Sequence, residues 1–206
     1  MILYVSTIII CMIIISVVNL LVSMPLFDYA WWFSPLAVIV CTVGAIVIDG
    51  IFATLIRWAL PEKWFGLDKK GYSAKKRESI FYEKIGIKKW KDKVLELGGF
   101  TNFHKDKLAD PTDNEYVKRF IIESNYGVLI HIACIIFGFL VVFLFPLKYW
   151  LCFGVPVAVV NAVLNALTLF ILRYNLPKLH TLYKLNLRRE KKRQAKVEQD
   201  CAITQN

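Results

Sequence analysis

At 206 residues, 57% of them hydrophobic, and with a mean hydropathy of +0.50, the chain is richer in apolar side chains than a soluble domain, where the share is about 45–50%. Its net charge of +10 comes with no nucleic-acid recognition motif, so no nucleic-acid partner is expected and anionic lipid headgroups are the simpler counterpart. The five cysteines, Cys11, Cys41, Cys134, Cys152 and Cys201, show neither CxxC nor zinc-ligand spacing, which leaves no disulfide and no metal to assign.

Residues 1–24 contain no charged side chain, and residues 30–56 contain only Asp49. Each run reaches the roughly 20 residues that a helix needs to cross a bilayer core. A cleaved signal peptide fits the first run poorly, because it has no basic n-region and is too long for an h-region. The segment 57–119 follows, with 16 Lys+Arg against 10 Asp+Glu. Its first part, 61–79, is polar and reads as irregular. Residues 80–97 place Ile80, Ile87, Trp90, Val94 and Leu97 near one helical face with lysines between them. That pattern fits a basic amphipathic helix at the headgroup level or one packed on its own domain, and Gly86 weakens a single continuous helix. Residues 98–114 are turn-like, after which helix resumes. Residues 126–147 and 149–172 supply two further spans. The tail restarts after RYNLPKL, with Asn175 as cap and Pro177 in the first turn of a new helix, and ends in the charge run RREKKRQAK.

The fold class is therefore an all-α integral membrane bundle of about four transmembrane helices with cytoplasmic amphipathic helices, a single membrane domain over 1–206. The connections near 25–29 and 146–149 carry just Asp28 and Lys148. By the positive-inside rule the long loop and both termini are cytoplasmic, in a multi-pass cell-membrane protein.

An ionisable group inside a bilayer costs about 2.5–3.5 kcal/mol on insertion scales and marks a functional candidate. Asp49 lies eight residues before Arg57, Asn165 eight before Arg173, and His131 eight after Glu123. At 1.5 Å per residue all three sit about 12 Å from the basic side, and Asn161 shares a helix face with Asn165. One reading is a cytoplasm-facing pocket in which Asp49 or Glu123 orients His131 as a general base. The other is interhelical hydrogen bonding, worth about 0.6 kcal/mol per contact. No Walker, dinucleotide or G-x-S-x-G signature directs the chemistry.

Three blocks, IKKWKDKVLELGGF (87–100), RFIIESNYGVLIHI (119–132) and RYNLPKL (173–179), occur in that order beside membrane spans. They resemble the glycosyl-4,4'-diaponeurosporenoate acyltransferase family of staphyloxanthin-type carotenoid biosynthesis, over about 80–193. The resemblance implies transfer of a fatty acyl chain to the sugar of a glycosylated carotenoid acid at the cytoplasmic face. Trp90 and Lys91 match the family's Trp-Lys, Glu123 and His131 its Glu and His, and Arg173, Tyr174, Asn175, Pro177 and Leu179 its Arg-Tyr-Asn-x-Pro-x-Leu run. Between Glu123 and His131 the family carries a basic residue and a second Glu, where this chain has Tyr126 and Val128.

On that reading His131 and Glu123 are catalytic, and Asp49, Trp90, Lys91, Asn165, Arg173, Tyr174 and Asn175 hold substrate. No cofactor is bound; an acyl donor such as acyl-CoA is a co-substrate, and the partners are the bilayer, its anionic headgroups and a lipidic glycoside. The alternative is a non-catalytic membrane protein that scaffolds lipid synthesis. A transporter fits less well, because four spans show neither a repeat nor a pair of broken helices.

Overall fold

A computed structural model describes residues 2–91 and 110–204, and among these the regular structure is helical with no strand. Helix α1 (Ile2–Val18) widens into a π turn at Asn19–Ser23 and ends in the short α2 (Met24–Phe27). Helix α3 (Phe33–Ala59) returns antiparallel to it; α4 (Lys76–Lys84) and α5 (Ile87–Trp90) follow. Helices α6 (Asn114–Phe137) and α7 (Val155–Thr204) complete the bundle. Four helical stretches are long and apolar enough to cross a membrane: Val5–Phe27, Phe33–Ala59, Asn114–Leu144 and Leu147–Val197. Their outward faces carry the exposed Ile, Val and Leu side chains that a lipid environment tolerates.

Polar groups pin the end of the bundle away from the basic segments. Asn19 Nδ2 donates to the Ile15 carbonyl at 2.8 Å and the Cys152 carbonyl at 2.7 Å, while Ser23 Oγ donates to Asn19 Oδ1 at 2.7 Å. Both partners sit at π turns, Asn19–Ser23 and Trp150–Gly154, where an inserted residue leaves carbonyls off the regular ladder. Around them Tyr29, Phe33, Tyr149 and Phe153 pack ring against ring. That cluster continues inward to the buried Ala37, Val38, Cys41, Val141 and Val157.

The opposite end is held by α6 against α7. Val117, Phe120, Ile121 and Val128 recur at helical spacing and bury against Leu172, Leu176 and Leu179. Asp113 caps α6, its side chain accepting from the Glu115 N–H at 2.9 Å.

Two expectations about helix boundaries change. The tail does not restart at Asn175 and Pro177: α7 runs unbroken through Pro177 for 50 residues, so Asn175 is an interior residue and not a cap. Proline has no N–H, so the carbonyl of Arg173 loses its helical donor. The Ala74 N–H takes that place at 3.0 Å, which satisfies the backbone and fastens the segment before α4 to α7.

Nor do Ile80 and Ile87 share a face. Gly86 adopts a left-handed conformation, φ +70°, between α4 and α5, the turn that glycine accepts without Cβ strain. Ile87 then buries against Tyr82, Ile171 and Tyr174, whereas Ile80 and Phe81 stay exposed. Of the other residues in that stripe, Trp90 packs beside Ile87, and Val94, Leu97 and the turn-like 98–109 lie outside the described residues.

Glu78 completes the anchor. Its carboxylate accepts Arg173 Nε at 2.6 Å and Nη2 at 2.7 Å, together with the Tyr82 hydroxyl. The paired guanidinium holds the Glu78 carboxyl down at about 2, against the desolvation that alone would raise it. A carboxylate with a lowered folded-state pKa contributes stability that is complete above its ordinary value and disappears on protonation. The protection factors of the α4 amides in native-state hydrogen exchange, which divide out the intrinsic pH dependence of exchange, should therefore stay high at neutral pH and fall as the pH drops from about 4.5 toward about 2. In Glu78→Gln the low protection is expected at neutral pH already.

Candidate functional site

Asp49, His131 and Asn165 come from α3, α6 and α7, and the bundle brings them together at one depth. Asn165 Nδ2 donates to Asp49 Oδ2 at 3.0 Å, and Asn161 Nδ2 donates to Asp49 Oδ1 at 3.2 Å. Asn165 Oδ1 faces His131 Nδ1 at 2.7 Å. With both Asp49 oxygens accepting from amide nitrogens, the Asn165 amide is oriented with its nitrogen toward Asp49 and its oxygen toward the imidazole. The oxygen in turn requires a proton on His131 Nδ1. In the neutral ring the lone pair then lies on Nε2. Asp49 thus acts on His131 through Asn165 and not directly.

Close approach at Gly138 permits this arrangement. A Cβ built there would stand 2.6 Å from Asn161 Nδ2, inside contact distance, so any larger residue pushes the amide away from Asp49. Asn161 is the member that reasoning from depth left out of the candidate set, although its four-residue offset from Asn165 put it on the correct face.

The layer opens on a cavity of about 500 Å³ bounded by α1, α3, α6 and α7. Ile8, Met12 and Ile15 line it from α1, Thr42, Ala45 and Gly50 from α3, and Val157, Val160 and Thr168 from α7. Its walls are mostly apolar, and Asp49, His131, Asn161 and Asn165 are gathered on one side.

The other candidates lie elsewhere. Glu123 pairs with Arg57 at 2.8 Å and not with His131; eight residues separate it from the imidazole along α6, about 12 Å. Together with Glu62, Lys118 and Arg119 it lines a second, polar cavity of about 590 Å³. Arg173 is occupied by Glu78 and by the Gly71 carbonyl at 3.2 Å. The Tyr174 hydroxyl donates to Glu83 at 3.2 Å, with Lys178 Nζ over its ring. Asn175 is a half-buried interior residue of α7, Trp90 Nε1 donates to the Ile85 carbonyl at 3.1 Å, and Lys91 ends the described stretch before 110. Arg173, Tyr174 and Trp90 thus secure α4 and α5 against α7. The structure does not gather them around His131.

Tyr126 and Val128 are both packed. Tyr126 stacks on Phe65 with ring centroids 3.7 Å apart and donates to the Leu60 carbonyl at 3.0 Å. Val128 is 1% exposed in the α6–α7 core. Neither lines the cavity beneath His131.

The four apolar helices and their buried polar layer define an all-α membrane protein. Within that class, the family model described as glycosyl-4,4'-diaponeurosporenoate acyltransferase matches residues 61–185, more than half of the chain, and the chain belongs to that family. The match takes in His131, Asn161 and Asn165, while Asp49 and the α1 wall lie before it. No curated protein and no solved structure matches the chain significantly.

If the Asp49–Asn165 contact holds the layer, truncating both partners should cost less than the sum of the single losses. A double-mutant cycle with Asp49→Ala and Asn165→Ala, followed by unfolding in detergent, is expected to show coupling of about 0.6–1.7 kcal/mol. Asp49→Ala with Glu123→Ala should be additive, because the second residue shares no partner with the first.

Proposed function

We propose that this protein is a membrane acyltransferase that moves a fatty acyl chain from an activated donor, such as acyl-CoA, to a sugar hydroxyl of a glycosylated lipid at the cytoplasmic face. The observation that carries the reading is the Asp49–Asn165–His131 chain at one side of an apolar cavity. A sugar hydroxyl is a weak nucleophile. His131 Nε2 would accept its proton as the oxygen attacks the thioester carbonyl; the carbon–sulfur bond then breaks and the imidazolium returns the proton to the leaving thiolate. Asn165 would keep the ring in the required tautomer.

Membership of the acyltransferase family supports the transfer chemistry. Tyr126 and Val128 are both packed and neither lines the cavity, so the reading does not depend on a charge at either position. Arg173 and Asn165 are not assigned as donors to the developing oxyanion, because Glu78 and Asp49 already occupy their N–H groups.

Charge supports the cytoplasmic placement. The basic side carries the exposed Lys75, Lys76, Arg77, Lys84 and Lys89 beside exposed Trp58, Trp64 and Phe81. Such a surface attracts anionic headgroups and an anionic donor. The glycolipid would enter from the bilayer with its head group on that side.

Comparative lipid profiling of cells with the wild-type protein, with His131→Ala and without the protein tests this reading. The expected result is an acylated glycolipid lost from both deficient strains, with the His131→Ala protein still abundant and its rate down about 10²–10⁴-fold. An unchanged lipid profile would leave a scaffolding role in its place.

A further inference from the structure

The cavity extends well beyond the polar layer. From Asp49 to Thr42 along α3, and from Asn165 to Val157 along α7, it descends seven and eight residues, about 10–12 Å. The wall below the layer is apolar apart from Thr42, whose hydroxyl donates to its own helix at the Val38 carbonyl, 2.8 Å away. At its far end Ala45 and Val157 belong to the buried cluster that also holds Val38, Cys41, Phe153 and Ala158. The result is a slot with polar groups at the His131 level and an apolar end backed by that cluster.

Two apolar chains meet in an acyl transfer, and their chemistry differs at this point. A glycosylated lipid carries a sugar between its reacting hydroxyl and its chain. Placing that sugar in the slot would strip several hydroxyls of water beside amides already committed to Asp49, at about 2–7 kcal/mol for each unpartnered group. A fatty acyl group has nothing polar between its carbonyl and its chain. With the carbonyl at the level of His131, its methylenes would follow the apolar wall without interruption.

We propose that the slot between α1, α3 and α7 binds the fatty acyl chain of the donor, and that Thr42, Ala45 and Val157 at its far end set the chain length accepted. This rests on the acyltransferase reading. The sugar of the acceptor then approaches His131 from the opposite, basic side of the layer, where Thr168 lies.

The test uses membranes containing the full-length protein. Acyl-CoA with a photoreactive diazirine near the terminal carbon should label peptides holding Thr42 or Val157, and unlabelled acyl-CoA should compete the label away. In parallel, a series of acyl-CoA lengths is offered to variants. Thr42→Leu fills the far end and orphans no partner, so it should lower use of the longest chain relative to shorter ones about tenfold. Val157→Ala deepens that end and should shift the preference the other way.

Transfer that proceeds with unchanged length preference in both variants and without competable labelling at these positions overturns the proposal. Competable labelling there without any transfer leaves the chain site standing and removes the acyltransferase reading. The two ideas therefore fail separately.

Discussion

A carboxylate carried into an apolar helical bundle must find hydrogen-bond donors, and that requirement at Asp49 organises the middle of this protein. Lipid cannot supply the donors, and neighbouring helices do. Asn161 and Asn165 reach Asp49 from α7, four residues apart on one face. Gly138 gives up its side chain so that Asn161 fits. Having committed its nitrogen, Asn165 has its oxygen left for His131. One buried carboxyl group thus determines a helix contact, a glycine and the tautomer of an imidazole.

A second constraint, of backbone origin, fixes the basic side. Pro177 lies within α7 and leaves the Arg173 carbonyl without its usual helical donor. The segment before α4 supplies the missing N–H through Ala74, while the Arg173 side chain grips Glu78 in the same segment. Backbone and side chain of one residue therefore hold the same element, and the residues of the RYNLPKL block are explained as an anchor. This accounts for Arg173 and Tyr174 without assigning either a place beside the reacting atoms.

Much of this was legible in the sequence, and the parts that were not share a cause. Counting residues from the charged flanks gives depth, and depth placed Asp49, His131 and Asn165 together correctly. Depth carries no azimuth, so it could not say that Asn165 stands between the other two, or that Asn161 is the second donor. The same reasoning offers Glu123 as a group to orient His131, but the spacing along one helix leaves them apart, and Arg57 on α3 claims the carboxylate. Asn175 and Pro177 imitate a helix start because their local preferences favour one. The Ala74 N–H, a century of residues away in sequence, makes continuation cheap, and no local pattern shows it.

The changes at Tyr126 and Val128 can be weighed on the same physical terms. A charge at position 128 would stand in the core between α6 and α7, where Val128 now meets Leu172 and Leu176, and would need a partner there. The ring at 126 fills the space over Phe65 and cooperates with Asn125, whose amide donates to the Phe65 carbonyl at 2.8 Å. Tyr126 and Val128 stand about 200° apart around α6, the first turned to Phe65 and Leu60 and the second to α7. His131 and Cys134 occupy the part of the same helix that lines the cavity. Packing at 126 and 128 therefore seats α6 against both the loop and α7, and so supports the single connected layer of imidazole, amide and carboxylate.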